Sequence, residues 1–266
     1  MSRPKGIMPV GDEEKWHRMM VYGEPGVGKT VFAGSGKRTL LLVSDGAETI
    51  SAAGMGSTAD VWVTPEYEDI DEAFEYLRLE GHKEYDWVWV DNITMLQDQS
   101  MDRLMRELVE AKPSRNRWVP DQHEYLVNQN RLSTMIRSFK KLPMNVGFTA
   151  HLMRTEDDEG RVLYLPMIQG GKGQLSQKIC SYMNIVGFLQ AVRKDGAIRR
   201  EMILEKRSKY LAKGRFPGMA GTMVEPTLPK LESAIAASLG TTGRTKAPPA
   251  SKTTTTRKRV SREIEI

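Results

Sequence analysis

The run GEPGVGKT at residues 23–30 spaces Gly23, Gly28, Lys29 and Thr30 as G-x-x-x-x-G-K-[ST]. Three pieces of chemistry meet in that spacing. Glycine tolerates positive φ, so Gly23, Glu24, Pro25, Gly26, Val27 and Gly28 can wrap with their backbone N–H groups turned toward an anion. The Lys29 ammonium is placed to reach β- and γ-phosphate oxygens, and the Thr30 hydroxyl to ligate Mg²⁺. Pro25 fits such a loop because its missing N–H costs little there. The stretch is expected to bind a nucleoside triphosphate, ATP, with Mg²⁺.

Other polar residues stand where a nucleotide on this loop would need them. Asp91 ends the apolar run YDWVWV in the manner of a Walker B strand, where a carboxylate holds Mg²⁺ directly or through water beside Thr30. Asp45 and Glu48 follow the strand after the loop, and either carboxylate can polarise an attacking water. The residues alone do not choose between them, although Glu48 comes first. His151 lies at the end of the next apolar run, positioned to sense a γ-phosphate; a lone histidine there is more often a local hydrogen-bonder. Lys213 and Arg215, one residue apart in a Gly/Pro-containing loop, could reach the triphosphate of a neighbouring subunit as an arginine finger does. The plainer fate of such a pair is a solvated basic loop.

The elements that must hold these groups follow from the hydrophobic pattern. Short apolar runs at 19–22, 39–43, 87–91 and 145–149 predict buried strands, and 61–63 is a candidate for a further apolar strand. Helices are expected to open at 29–33 with their N-terminal dipole facing the anion, and to cover 68–79, 94–111, 122–140 and 229–239. In the third of these longer helices Leu132, Met135, Ile136 and Phe139 mark one face. Hairpins are expected around the acidic turn at 156–160 and around Asp195-Gly196, a favoured two-residue loop. Strands alternating with helices predict an α/β fold: a mostly parallel sheet flanked by helices, with hairpins toward the C-terminus. The carboxyl ends of such strands are where ligands sit. No internal repeat is visible.

Charge and composition limit the alternatives. The chain has 266 residues, 39% of them hydrophobic, enough for one sizeable core. Its formal net charge of +5 equals the net charge of residues 240–266 alone, so residues 1–239 are neutral and the high pI says nothing of a nucleic-acid face on the body. The expected organisation is a short arm at 1–17, one domain at 18–239, and a disordered basic tail at 240–266. The single cysteine, Cys180, excludes an internal disulfide and a cysteine-based zinc site. No membrane-length apolar run and no signal-peptide core are present, which suggests a cytoplasmic protein.

Taken in order, GEPGVGKT, the acidic turn after the next strand, YDWVWVDNITML, FKKLPMNVGFTAH, LPMIQGGKGQLSQKI and the K-x-R-F element at 213–216 resemble phage-encoded, core-only members of the RecA/RadA recombinase class, of the single-strand annealing type. The resemblance spans about residues 18–240. It implies a RecA-like P-loop ATPase that self-associates as a ring or filament, with active sites at subunit interfaces. It implies binding of single-stranded DNA, and annealing or strand pairing in a host bacterial cytoplasm. It strengthens His151 as sensor and Lys213 and Arg215 as fingers in trans, and it makes LPMIQGGKGQLSQKI a hairpin. The turn SDGAET departs from the family's strand–Asp–x–Glu form, and His stands where RecA has Gln.

The resemblance further implies that two loops line a DNA channel. The first holds Arg115, Arg117 and Trp118, cations for phosphates and a ring for stacking a base; the second holds Lys172 among glycines. The basic tail adds salt-sensitive affinity or a site for a single-strand binding protein or another replication protein. The competing functions are a P-loop ATPase acting on protein partners, such as a helicase loader or assembly factor, and a nucleotide switch with negligible turnover.

Overall fold

A computed structural model of the chain describes residues 16–157, 159–207, 209–216 and 221–238. The expected tail and nearly all of the expected arm lie outside the described residues. β1 (Arg18–Tyr22) is buried at every position and leads through the glycine loop into a short α1 (Lys29–Ala33). β2 (Thr39–Val43), equally buried, passes through a 3₁₀ turn at Gly46–Thr49 to α2 (Ile50–Gly54) and β3 (Asp60–Val63). α3 (Tyr67–Tyr76) opens on a capping box between Glu66 and Asp69 and runs through a π turn at Leu77–Gly81 into α4 (His82–Glu84). β4 (Trp87–Asp91) is followed by the long α5 (Ile93–Ala111), whose N-cap Asn92 accepts the Met95 N–H at 2.9 Å. α6 (Gln122–Phe139) opens on a capping box between Asp121 and Glu124, and β5 (Asn145–Ala150) ends just before His151.

The chain then makes a separate hairpin, β6 (Leu152–Glu156) with β7 (Val162–Pro166), and a helix, α7 (Gln174–Ser181). β8 (Ile185–Lys194) and β9 (Ala197–Ile203) form the second hairpin, turned at Asp195-Gly196 with φ of 53° and 80°. β10 (Lys213–Gly214), β11 (Thr222–Val224) and α8 (Leu228–Ser238) complete the described chain. One expectation is corrected here. LPMIQGGKGQLSQKI does not fold as a hairpin: after Pro166 it is a loop, a 3₁₀ turn at Gly171–Gly173 and α7. Leu175, Ile179 and Cys180 recur at helical spacing and are buried, so core packing favours a helix there.

The strand order is β11-β9-β8-β1-β5-β4-β2-β3, with β10 also paired to β8. From β3 to β8 neighbouring strands are parallel, while β9, β10 and β11 are antiparallel to their neighbours. Side chains alternate across the sheet as period two demands. Met20, Tyr22, Val88 and Val90 face one core, under α3, α5, α6 and α7; Met19, Val21, Trp87 and Trp89 face the other, under α1 and α8. The Trp89 ring lies over Gly147, where a Cβ would come within 2.3 Å of it. That glycine lets β5 pack flush beside β4, which places His151 between the phosphate loop and Asp91. No described helix is long and apolar enough to cross a membrane.

Candidate nucleotide site

The glycine loop joins the carboxyl end of β1 to α1 and adopts the backbone its composition predicts, with positive φ at Gly26 (76°) and Gly28 (99°). Gly23 is fixed by crowding as well: a Cβ there would fall 2.2 Å from Leu189 O on β8. Lys29 is buried, and its Nζ donates to Gly23 O at 3.0 Å and Glu24 O at 2.9 Å. Burial lowers its pKa, while the negative charges of Asp91 and Glu24 work in the opposite direction. Thr30, one residue on, is half-buried.

Three polar groups gather at the same end of the sheet with atoms left over. Asp91 is 3% exposed; Oδ1 accepts the Thr149 hydroxyl of β5, and Oδ2 is buried without a partner among the described residues. Glu48 accepts the Ser44 hydroxyl at 3.0 Å through Oε1, and its Oε2 is likewise buried and unpartnered. Burial raises the Glu48 pKa; the Ser44 hydrogen bond offsets part of this, and Asp91 and Asp45 add to it. Asp45 stands differently: it is exposed, and its carboxylate caps the 3₁₀ turn by accepting the Ala47 N–H at 2.9 Å. The two acids thus differ in surroundings: Glu48 has a buried oxygen to spare, and Asp45 faces solvent.

His151 is the third group. Asn92 Oδ1 is committed to the Met95 N–H, so its amide nitrogen faces His151 Nε2, at 3.5 Å, an arrangement that favours the tautomer protonated on Nδ1. Nδ1 itself is a buried atom with no partner among the described residues. Burial, then the charge of Lys29, pushes the imidazole pKa down, so the ring is neutral at pH 7. The backbone of His151 continues the network. Thr94 Oγ1 accepts its N–H at 3.2 Å and donates to Met167 O at 2.9 Å, and the Gln97 side chain holds Gln169 through two hydrogen bonds. These contacts tie the phosphate end of the sheet to the loop carrying Lys172, which is exposed and has a φ of 46° between Gly171 and Gly173.

The remaining candidates lie apart. Lys213 and Gly214 pair with Val186 and Ile185 at the amino end of β8, and the Arg215 N–H donates to Asn184 O. Lys213 is level with Met20 in mid-β1 and Arg215 lies beyond it toward the amino end, about 16 Å of strand from the glycine loop, so Arg215 does not meet that loop within one chain. Lys213 Nζ is bound to Cys180 O at 3.0 Å, whereas the Arg215 side chain is exposed. In the α5–α6 loop, Arg115 is paired with Asp121 and Glu124 at 3.1 and 2.8 Å, so its charge is spent within the fold. Arg117 makes one looser ion pair, with Asp102 at 3.5 Å, and lies 5.0 Å from the centre of the Trp118 ring, which is 77% exposed.

Several partners were invisible in the sequence: Thr149, Ser44 and Asn92, which orient the acid and histidine groups, and Arg200, whose Nε donates to Val27 O in the glycine loop at 3.2 Å. Only the alternation in β5 hints at Thr149.

The donor set suits Mg²⁺. No group of three or more His, Cys, Asp or Glu among the described residues could hold a metal unaided. Mg²⁺ characteristically takes one or two protein oxygens together with phosphates and water, and Thr30 with the free Asp91 Oδ2 offers that.

Fold and site together define an α/β P-loop nucleotide-binding domain. The chain belongs to the AAA domain family, which matches residues 15–216. No curated protein matches it. Similar solved structures include the RadB recombinase (14% identity, 78% of this chain and 86% of that one, TM-score 0.47). They also include a KaiC-like protein from the hyperthermophilic archaeon Pyrococcus horikoshii (12%, 79% and 89%, 0.41) and the flagellar accessory protein FlaH from Methanocaldococcus jannaschii (11%, 80% and 87%, 0.40). Likenesses this distant bear on neither substrate nor partner.

Proposed function

We propose that the chain hydrolyses ATP at the glycine loop and couples that reaction to single-stranded DNA, promoting annealing or strand pairing in phage-type homologous recombination. The observation that supports the reaction is the convergence of Lys29, Asp91, Glu48 and His151, three of them with a buried unsatisfied atom on one side of the loop. Residues 23–30 cradle the phosphates. Thr30 and Asp91 would hold Mg²⁺, which would supply positive charge to offset that of the phosphates. Glu48, its proton affinity raised by burial, takes the proton of the attacking water. His151, a neutral ring beside Lys29 and Asp91, would sense the γ-phosphate, and its backbone ties to Thr94 and Met167 would carry a shift toward the Lys172 loop.

The DNA half of the proposal rests on Trp118 and Arg117, an exposed ring and an adjacent cation, with Lys172 on the second loop. Arg115 takes a supporting place, bracing the loop against α6. The binding test is fluorescence anisotropy of a labelled single-stranded oligonucleotide with Mg-ATP. Trp118→Ala with Arg117→Ala is expected to weaken binding about tenfold or more; unchanged affinity in the double variant removes this surface from the DNA path. The tail at 240–266 is assigned to non-specific DNA affinity or a replication protein.

Self-association enters through Arg215. Its distance from the loop of its own chain means that only a second copy brings it to a triphosphate, as in a ring or filament. Arg215→Ala is expected to lose turnover and keep ATP affinity. Mixed with Lys29→Ala it is expected to recover activity, since one mixed interface then carries both an intact loop and an intact finger. Absence of recovery at every mixing ratio contradicts a role in trans.

A second reading, an ATPase driving a protein partner such as a helicase or an assembly, is favoured by one feature. Trp118, Val119 and Leu126 are 77, 58 and 56% exposed, an apolar set beside the neutralised Arg115. Turnover that responds to such a partner and not to DNA would select it.

A further inference from the structure

The β8–β9 hairpin lies on the side of β1 away from Asp91, and one of its side chains closes on the phosphate loop. Arg200 is opposite Ala191 in the hairpin, and its Nε reaches Val27 O at 3.2 Å across 173 residues of chain. A Cβ built on Gly28 would meet Arg200 Nε at 2.8 Å, so the guanidinium rests directly on the second glycine of the loop. Its backbone is fixed from the far side, because the Arg200 N–H donates to Glu225 Oε1 at 2.9 Å and Arg200 O accepts the Glu225 N–H at 2.8 Å. The Glu225 carboxylate is thus engaged with backbone, and no ion pair forms with the Arg200 guanidinium among the described residues. Nε is occupied; the two Nη groups, with their charge, have no partner among the described residues.

The placement indicates which part of a nucleotide they would meet. β5 and β4 flank β1 on one side and bring His151 and Asp91 to the γ end of a bound triphosphate; β8 and β9 flank it on the other. A triphosphate laid along the loop with its γ end toward Asp91 turns its α-phosphate and nucleoside toward the hairpin. We propose that Arg200 is a nucleotide-binding residue acting in cis, its free Nη donors taking the α-phosphate while Nε stays on Val27 O. The inference rests on the reading of residues 23–30 as the nucleotide loop. It would also make nucleotide binding sensitive to the hairpin, since the same arginine joins β9 to the loop.

The test is equilibrium binding of Mg-ATP and Mg-ADP to the full chain and to Arg200→Gln and Arg200→Lys. Gln keeps a donor for Val27 O without the charge, and thermal melts report whether the hairpin has loosened. Loss of a charge-assisted contact to a phosphate shared by both nucleotides is expected to weaken ATP and ADP by the same factor, about tenfold. Lys is expected to recover part of the loss, and in turnover the effect should fall on KM more than on kcat. Unchanged affinity in Arg200→Gln, with or without a lower melting temperature, would reduce the residue to a brace and overturn the inference. Weakening confined to ATP would overturn it as well, by putting the guanidinium at the γ end. The underlying loop reading fails separately: wild-type protein would then bind neither nucleotide, or bind both undiminished after Lys29→Ala.

Discussion

Replacing Lys29 by alanine is expected to cut ATP turnover by about 10²–10³-fold, the usual effect of deleting one preorganised charge from a water-excluded site. Lys29 is the residue on which both halves of the loop converge, because its ammonium already bridges Gly23 O and Glu24 O and feels the field of Asp91. When nucleotide binds, the same three donors are available to β- and γ-phosphate oxygens. Removing them also leaves two loop carbonyls unsatisfied, a cost of about 1–3 kcal/mol that a thermal melt would register. Lys29→Met keeps the packing of the stem and should lose as much turnover as alanine. Single-turnover hydrolysis and binding of a fluorescent ATP analogue measure the two effects; undiminished turnover in either variant refutes the loop assignment.

Asp91→Asn is the second large effect. The substitution keeps the shape and an acceptor for the Thr149 hydroxyl, but it replaces the unpartnered Oδ2 by an amide or removes its charge. An amide is a poor ligand for Mg²⁺, which prefers charged oxygens. Turnover is expected to fall about 10²–10³-fold, with affinity for metal-free ATP retained or improved, since a negative charge beside the phosphates is gone. A Mg²⁺ titration of hydrolysis in both proteins measures this. The same metal dependence and the same rate in the variant would dismiss Asp91 as the metal ligand.

Local pattern reached a good part of this structure. The glycine loop, the five strand runs, the two hairpin turns and the three longer helical segments are each written in residues close in sequence, where periodicity and turn chemistry act. What local pattern could not carry is long-range. Thr149 meets Asp91 from 58 residues away, and Arg200 meets Val27 from 173; neither pairing leaves a trace in spacing. β10 and β11 have two and three residues, too short for any alternation to mark. Asp45 and Glu48 differ only once the turn is folded: Asp45 is exposed and caps Ala47, whereas Glu48 keeps a buried oxygen without a partner among the described residues. The hairpin expected at 165–179 came from the family resemblance and not from local pattern, whereas the core-facing spacing of Leu175, Ile179 and the adjoining Cys180 favours the helix that forms.

The most direct measurement is steady-state ATP hydrolysis by the purified chain, with and without single-stranded DNA, at low and high salt. The proposed function predicts turnover that rises with DNA, loses that stimulation as salt screens the phosphate contacts, and vanishes in Lys29→Ala. Hydrolysis indifferent to DNA at both salt concentrations would contradict the coupling of the ATP site to DNA and leave the protein-partner ATPase in its place.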